Sequence, residues 1–156
     1  MAEHTIQIRW ERNNQKFSDN RYSREHLWFF DGGIEVAASS SPQVVPLPYS
    51  NDNAVDPEEA FVASISSCHM LWFLSVAAKR GFIVDEYTDD AIGIMEKDTS
   101  KRLAITRVTL RPKVIFSGDK IPGKPDIHIL HEQAHDSCFI ANSVKTEIRC
   151  EPVLVP

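Results

Sequence analysis

Cysteine is scarce in this chain of 156 residues, and its spacing is not that of a disulfide framework. The three cysteines are an odd number, and no two of them form a Cys-x-x-Cys pair. In a reducing compartment, a disulfide between two of them would be transient and chemical rather than structural. Any disulfide in this protein is therefore expected to take part in a reaction.

The chain also lacks an excess of positive charge, internal repeats and low-complexity tracts. The formal net charge of -5 argues against nucleic acid or an anionic membrane surface as the main partner. A composition of 42% hydrophobic and 25% charged residues is typical of a soluble globular protein. The first residues, "MAEHTIQIRW", are polar where a signal peptide needs an apolar core, so we expect a cytoplasmic protein. The length predicts one domain over residues 1–156.

Hydrophobic periodicity predicts an α+β fold with helices against antiparallel sheets. "TIQIRW" alternates as a half-buried strand does, and "HLWFF", "DGG" and "IEVAA" together predict a hairpin. Residues 39–55 contain three prolines and predict a long surface loop. "AIGIMEK" and "LAITRVTLRPKVIF" predict a second hairpin, "DIHILHEQAHDS" a helix, "CFIANSV" a helical segment and "TEIRCEPVLV" a final edge strand.

The segment "DPEEAFVASISSCHMLWFLSVAAKRG" predicts a long apolar helix. Asp56 suits the N-cap, Glu59 completes a capping box, and Gly81 suits the C-terminal end. The helix is long enough to cross a membrane, but its serines and His69 argue for a soluble domain without a membrane partner. A helix that is apolar nearly all round must be covered on every side. We therefore predict a homodimer with this helix near its interface; the alternative is that the proline-rich loop covers it.

Cys68 lies in the middle of this helix, where a residue that only fills the core is also a common choice. Its neighbours Ser66, Ser67 and His69 are polar, and Cys138 has a similar setting in "AHDSCFIANS". Cys150 shares a face with Ile148 on a predicted strand whose other face carries Glu147, Arg149 and Glu151, which indicates a structural role. Cys68 lies too far from the N-terminal end of the helix for the helix dipole to stabilise its thiolate much. The side chain of His69 points in a different direction from that of Cys68. A cationic group that activates Cys68 must therefore come from another part of the chain.

The two cysteine motifs, "DPEEAFVASISSCHMLWFL" and "AHDSCFIANSVKTEI", closely resemble those of the OsmC/Ohr family. That family comprises thiol-dependent organic hydroperoxide peroxidases and their relatives. The resemblance covers most of the chain from about residue 24 onward. It implies an OsmC-like fold, which is an intertwined α+β homodimer with the long helices between sheets.

The resemblance also implies roles for four residues. Cys68 would be the peroxidatic cysteine and Cys138 the resolving cysteine, while Glu58 would orient an active-site arginine. Arg24 is the preferred arginine, with Arg21 as the alternative. Because Glu58 and Cys68 are ten residues apart, about 15 Å on one helix, Glu58 would serve the Cys68 of the partner subunit.

The implied reaction is the reduction of an organic hydroperoxide to an alcohol. The Cys68 thiolate would attack the peroxide and become a sulfenic acid, and Cys138 would then form a disulfide with it. An external dithiol, of the lipoyl type in this family, would reduce that disulfide, and no metal or organic cofactor is required. The residues that could line an apolar substrate pocket are Phe61, Met70, Leu71, Trp72 and Phe73.

Two other functions remain open from the sequence. His131 and His135 form an H-E-x-x-H pattern, which would suit a zinc hydrolase if a third ligand were present. The plainer interpretation of that pattern is a solvated helix face with His135 near Cys138. The other alternative is a non-catalytic relative that binds a hydrophobic ligand or a partner protein with the same dimer.

Overall fold

The computed structural model describes residues 1–154, which form two compact units. The first unit is Met1–Ala60 and the second begins at Phe61. The boundary lies in the first turn of the long helix, and each unit is described by itself. Residues 1–154 form two α-helices and three small sheets, which confirms the predicted α+β class.

The first unit contains a three-stranded antiparallel sheet. Its strands are β1 (Ile6–Arg9), β2 (His26–Phe30) and β3 (Glu35–Ala38), in the order β1-β2-β3. The predicted hairpin is confirmed: β2 and β3 are joined by a turn in which Gly33 has φ +83°, a conformation that glycine adopts without strain. Residues 39–55 contain turns and no helix or strand apart from one isolated bridge, as predicted for the proline-rich loop.

The prediction that β1 is half-buried is wrong for the single chain. β1 is an edge strand, and Ile6 and Ile8 keep 50% and 54% of their surface exposed. Trp10, which follows the strand, donates from Nε1 to the carbonyl of Ser23 at 2.8 Å. The apolar alternation of β1 therefore produces an exposed apolar face instead of a buried one.

The long helix α1 (Pro57–Lys79) begins with the predicted capping box. The backbone N–H of Glu59 donates to Oδ1 of Asp56 at 2.7 Å, and the backbone N–H of Asp56 donates to Oε2 of Glu59 at 3.2 Å. These two bonds satisfy donors that the first helical turn would otherwise leave unpaired.

The C-terminal end of α1 is a Schellman motif. Gly81 has φ +77°, its N–H donates to the carbonyl of Ala78, and the N–H of Phe82 donates to the carbonyl of Ala77. The side chains of Ala77 and Phe82 are both buried in the same core cluster. Glycine is required because the helix ends in the left-handed region of backbone conformation.

Within this chain α1 buries one face rather than its whole circumference. Ile65, His69, Phe73 and Ala77 are buried at a spacing of four residues, whereas Leu71 is 61% exposed. By length and composition α1 could cross a membrane, but the core helix of a soluble protein passes the same test. The expectation that α1 is covered on every side therefore requires something beyond the single chain.

The second unit contains five strands in two small sheets. The strands are β4 (Ile83–Asp89), β5 (Ile92–Lys97), β6 (Leu103–Leu110), β7 (Pro112–Ser117) and β8 (Glu147–Cys150). The hairpin of β5 and β6 confirms the prediction, but the run predicted as one strand breaks at Arg111 into β6 and β7. β4 was missed in the sequence analysis, and it pairs with β7.

The predicted antiparallel pairing is confirmed for every strand pair among the described residues except the one that includes the last strand. β8 pairs in parallel with β6, so the sheet with order β5-β6-β8 is mixed. Parallel neighbours need a crossover connection, and the chain between them includes the helix α2 (Lys124–Ser137). The segment predicted as helical after α2 is only a short 3-10 turn at Ala141–Ser143.

Candidate functional site

The structure brings together the two cysteines that the sequence singles out. Cys68 is half-buried in the middle of α1, and Cys138 is 1% exposed at the C-terminal end of α2. Burial and the neighbouring Cys68 thiol raise the pKa of Cys138 to about 11, while its bond from the Ala141 backbone opposes that rise. Both cysteines are free thiols. The two thiols are therefore neighbours, one on α1 and one at the end of α2.

The end of α2 holds Cys138 in place through its backbone. The N–H of Cys138 donates to the carbonyl of His135 at 3.1 Å, and the N–H of Ala141 donates to Sγ of Cys138 at 3.4 Å. The next residue, Phe139, is 69% exposed and meets Trp72 of α1 edge to face, with ring centroids 5.4 Å apart. The residue that follows Cys138 thus contacts an aromatic side chain one helical turn after Cys68.

The polar residues before Cys68 do not all serve the thiol. Oγ of Ser66 donates to Oδ2 of Asp89 at 2.5 Å, and Oδ1 of Asp89 accepts from the backbone N–H of Arg111 at 2.6 Å. Ser66 therefore links α1 to the junction of two strands. Part of the polar setting of Cys68 is therefore structural.

Of the two candidate arginines, Arg24 is engaged by its own turn. Its guanidinium donates to the carbonyls of Asn20 and Tyr22 and to Oδ1 of Asn20, and it lies 3.8 Å from the centre of the Tyr22 ring. Arg21 is exposed. Arg24 is thus a fixed cation in the first unit, and its part in the reaction remains a prediction.

Glu58 lies in the first turn of α1 and is half-buried. Its Oε2 atom is buried and has no hydrogen-bond partner among residues 1–154. Buried carboxylate oxygens nearly always accept a hydrogen bond, so we expect a hydrogen-bond donor to bind this atom in the active protein. The adjacent Glu59 has the capping role instead, so the two glutamates have different surroundings.

The five residues proposed for a substrate pocket are dispersed. Phe73 is fully buried in the core, whereas Leu71 is largely exposed. Phe61 and Trp72 pack against two different core clusters. Phe73 is therefore a core residue and does not line a substrate pocket.

A pair of buried histidines, which the sequence did not predict, joins the two helices. Nε2 of His69 on α1 and Nδ1 of His131 on α2 are 3.0 Å apart, and the residues are 1% and 3% exposed. The planes of the rings differ by 10°, and their centroids are 5.3 Å apart. If the two centroids and the two bonded nitrogens lie on one line, the distance between the centroids equals the nitrogen–nitrogen distance plus the radius of each ring. The observed distance of 5.3 Å is close to that sum. The rings therefore lie end to end, joined by a nearly linear hydrogen bond.

Both histidines are neutral near pH 7. Burial, with a smaller effect from His135, lowers the pKa of His69 to about 4. Burial, followed by His69 and His128, lowers the pKa of His131 to about 3. Desolvation disfavours the charged imidazolium, and two adjoining imidazoles cannot both be protonated without repulsion. One imidazole N–H therefore donates to the bare nitrogen of the other.

Cys150 adjoins this pair, and the three residues have the atom types of a metal site. One possible ligand atom from each of His69, His131 and Cys150 lies within 4.8 Å of the other two, and Sγ of Cys150 is 3.8 Å from Nε2 of His69. A bound ion would require the two nitrogen lone pairs to converge on one point. Here the nitrogens point at each other, so both rings would have to turn before they could bind a metal.

The H-E-x-x-H pattern does not form a zinc-binding face. His131 is buried and bonded to His69, whereas His135 is exposed. The plainer interpretation, a solvated helix face, is wrong for His131 and right for His135. The available signal was the position of His131 next to the buried Leu130, but its partner lies 62 residues away in the sequence.

Comparison with known proteins identifies the fold and then the family. The structure superposes on an OsmC-like protein of unknown function from Vibrio cholerae with a TM-score of 0.96 and 51% identity, covering 98% of this chain and 100% of that one. It also matches the organic hydroperoxide resistance protein OsmC of Legionella pneumophila, with a TM-score of 0.72, 12% identity and coverages of 99% and 98%. The organic hydroperoxide resistance protein OhrB of Bacillus subtilis matches with a TM-score of 0.68, 15% identity and coverages of 97% and 98%. The last two likenesses indicate a shared fold.

The family described as OsmC-like protein matches residues 50–152. No curated protein matches the chain. With two thirds of its length in that match and half of its residues identical to those of the Vibrio cholerae protein, the chain belongs to the OsmC-like family.

Proposed function

We propose that this protein is a thiol-dependent peroxidase that reduces organic hydroperoxides to alcohols. The observation that carries the proposal is the adjoining pair of thiols, Cys68 on α1 and Cys138 at the end of α2. Membership of a family that includes organic hydroperoxide resistance proteins supports the same chemistry. The partial exposure of Cys68 and the burial of Cys138 suit an attacking and a resolving thiol respectively.

The proposed cycle has three steps. The Cys68 thiolate attacks the distal peroxide oxygen; the O–O bond breaks, the alkoxide takes a proton to become the alcohol, and Cys68 becomes a sulfenic acid. The Cys138 thiol then forms a disulfide with the Cys68 sulfur and releases water. An external dithiol of the lipoyl type restores both thiols and is itself oxidised to a disulfide.

Arg24 and Glu58 are proposed to complete the site from the first unit. An arginine beside the sulfur would stabilise the thiolate and hold the peroxide, and a carboxylate would fix its direction. The buried Oε2 of Glu58 without a partner supports this role, because it is an acceptor suited to a guanidinium. In this proposal Glu58 and Arg24 act on the Cys68 of a partner subunit, so the active protein is a homodimer.

The homodimer is also supported by the exposed apolar surfaces of the chain. Ile6 and Ile8 of β1 and Leu71 of α1 are each at least half exposed. Light scattering should give twice the chain mass, and a single-chain mass for the active protein would contradict the shared site. We further propose that the protein works in the cytoplasm, where its thiols stay reduced; recovery from the periplasmic or extracellular fraction would contradict that.

The direct test is oxidation of the reduced protein with one equivalent of cumene hydroperoxide, followed by peptide mapping by mass spectrometry. We expect a Cys68–Cys138 disulfide within seconds. Cys68→Ser should form none, Cys138→Ser should accumulate a sulfenic acid at Cys68 that dimedone traps, and Cys150→Ser should behave as the unaltered protein.

Slow oxidation spread over all three cysteines would overturn the peroxidase mechanism. The protein would then be a member of the family that binds a ligand or partner without this chemistry. If the disulfide does form, dihydrolipoamide should reduce it faster than glutathione does. The opposite order would refute the choice of reductant while leaving the thiol chemistry intact.

A further inference from the structure

Two histidines and a cysteine from three distant elements meet inside the second unit. His69 is on α1, His131 is on α2, and Cys150 is the last residue of β8. The possible ligand atoms of these three residues lie within 4.8 Å of one another, and both histidines are buried. The thiol reaction proposed above uses none of the three. The cluster is therefore a second group of reactive side chains that still needs a role.

The spacing of the donor atoms is close to that around a tetrahedral zinc ion. Zn–N bonds of about 2.05 Å and a Zn–S bond of about 2.3 Å place two nitrogens about 3.3 Å apart, and a nitrogen and a sulfur about 3.6 Å apart. Nε2 of His69 is 3.0 Å from Nδ1 of His131 and 3.8 Å from Sγ of Cys150. Both distances thus agree with the tetrahedral values to within a few tenths of an ångström.

The directions of the two imidazole rings are what an ion would have to change. Their lone pairs point along the nitrogen–nitrogen line, whereas an ion bound by both nitrogens lies beside that line, about 35° away from it at each nitrogen. The χ2 angle of histidine has a broad range, so turns of this size stay within its ordinary conformations. Side-chain rotation would therefore convert the hydrogen-bonded pair into a pair of ligands.

The surroundings of Cys150 favour a bound cation. The carboxylates of Asp89 and Glu151 act on its thiol and make this part of the molecule electronegative. Zn²⁺ bound to one thiolate keeps one net positive charge, and nearby carboxylates offset the cost of burying it. The hydroxyl of Tyr87, which also interacts with Cys150, is buried and has no hydrogen-bond partner among residues 1–154. A water in the fourth position of the ion would give this hydroxyl a partner.

We propose that His69, His131 and Cys150 bind a Zn²⁺ ion that joins α1, α2 and β8. Imidazole nitrogen and thiolate sulfur are ligands that zinc prefers. On binding, the Cys150 thiol releases its proton to the solvent. The imidazole that donates in the metal-free pair changes tautomer, so that each ring binds the ion through a bare nitrogen. The proposal goes beyond the thiol reaction, which does not require the ion.

The test uses the full-length double variant Cys68→Ser/Cys138→Ser, in which Cys150 is the one remaining thiol. The reduced protein is freed of metal with a chelator and titrated with Zn²⁺ by calorimetry in two buffers. We expect saturable binding of one ion per chain with release of about one proton. A parallel titration with Co²⁺ should give the visible absorption of a tetrahedral site together with a thiolate-to-cobalt charge-transfer band.

Two further substitutions in this double variant assign the ligands. Cys150→Ser should abolish the charge-transfer band and weaken Zn²⁺ binding by at least about tenfold, since even residues outside the ligand set have effects of that size. His135→Ala, at the exposed second histidine of the H-E-x-x-H pattern, is the matched control and should bind normally. Zn²⁺ should also raise the melting temperature of the double variant but not that of the form with Cys150→Ser, because the ion binds the folded site.

Three results would overturn the proposal. They are the absence of saturable binding by either ion, a cobalt spectrum without a thiolate band, and loss of binding in His135→Ala. The first two are decided in a protein whose His69, His131 and Cys150 are unaltered, so the proposal remains testable even if Cys150→Ser does not fold. Because both cysteines of the thiol pair are absent from the test protein, failure of the proposed peroxidase reaction would not change these measurements.

Discussion

The imidazoles of His69 and His131 join α1 to α2 through one nearly linear hydrogen bond of 3.0 Å in the core. Neither side chain is more than 3% exposed, so each ring depends on the other for the hydrogen bond that water would supply. The pair is therefore a polar lock between α1, which carries Cys68, and α2, which ends at Cys138.

Removal of one imidazole ring should destabilise the protein more than the loss of the ring's packing volume alone would. His69→Leu or His131→Phe leaves the other histidine with a buried unpaired nitrogen, so each should lower the free energy of unfolding by about 1–3 kcal/mol. The double variant should lose less free energy of unfolding than the two single variants lose together, and the difference should be at least about 0.5 kcal/mol. Urea unfolding measures all three, and His128→Ala, at an exposed position, is the control. Strict additivity would contradict the lock.

The stability of the protein should fall as the pH is lowered from 6.5 toward 4. The pKa values of His69 and His131 are about 4 and 3 in the folded protein, against 6.5 for an ordinary histidine. Between those values the unfolded chain binds protons that the folded chain does not, so the free energy of unfolding decreases as pH decreases. Each histidine contributes a slope of at most about 1.4 kcal/mol per pH unit.

Urea unfolding at pH 7 and pH 5 tests this dependence. The double variant His69→Leu/His131→Phe should show a smaller difference between the two pH values than the unaltered protein. An equal difference in both proteins would mean that other groups cause the acid sensitivity.

Cys68 should react with iodoacetamide before Cys138 does. Cys138 is 1% exposed, and burial together with the neighbouring thiol raises its pKa to about 11, so little thiolate is present at pH 8. Peptide mapping after timed alkylation gives the order. In Cys68→Ser, Cys138 should remain slow, because burial is the main cause of its raised pKa. Rapid labelling of Cys138 in the reduced protein would contradict the site geometry.

Gly93 should tolerate no side chain, because β5 passes very close to α1 at this point. A Cβ atom at Gly93 would lie 2.6 Å from Cγ2 of Val62, whose χ1 is restricted on a helix. Gly93→Ala should therefore lower the free energy of unfolding by about 1–3 kcal/mol. Val62→Ala/Gly93→Ala should recover part of that loss.

Thermal and urea unfolding are the measurements for these variants. Gly32→Ala is the control, since no atom lies within 4 Å of its added Cβ and its backbone does not have a positive φ. A loss in Gly32→Ala as large as that in Gly93→Ala would contradict the role of close packing.

Asp56→Ala should weaken the start of α1. The substitution removes the carboxylate that accepts from the backbone of Glu59 at 2.7 Å, with an expected cost of about 1 kcal/mol in the free energy of unfolding. Asp56→Asn should retain most of the stability, because the amide oxygen also accepts this bond. Urea unfolding distinguishes the two variants, and an equal loss in both would indicate that charge, rather than the hydrogen bond, is important.

Local features of this protein could be predicted from the sequence because each depends on neighbouring residues. Asp56 and Glu59 form the capping box, Gly81 ends α1, and the Asp-Gly-Gly segment forms the turn of the first hairpin. Each depends on hydrogen bonds or backbone conformations within a few residues. The two cysteine motifs likewise led to the prediction that Cys68 and Cys138 are the reactive cysteines.

Only the tertiary structure decided which distant residues meet. In the folded chain β8 lies parallel to β6, and Cys68 and Cys138 are neighbours. His69 forms a hydrogen bond with His131, which is 62 residues away in the sequence. The sequence pattern around His131 suggested a solvated face or a zinc ligand, because the partner that pairs with its ring, His69, lies on a distant helix. Contacts between distant segments depend on how whole elements pack, and a periodic pattern indicates which face packs but not against what.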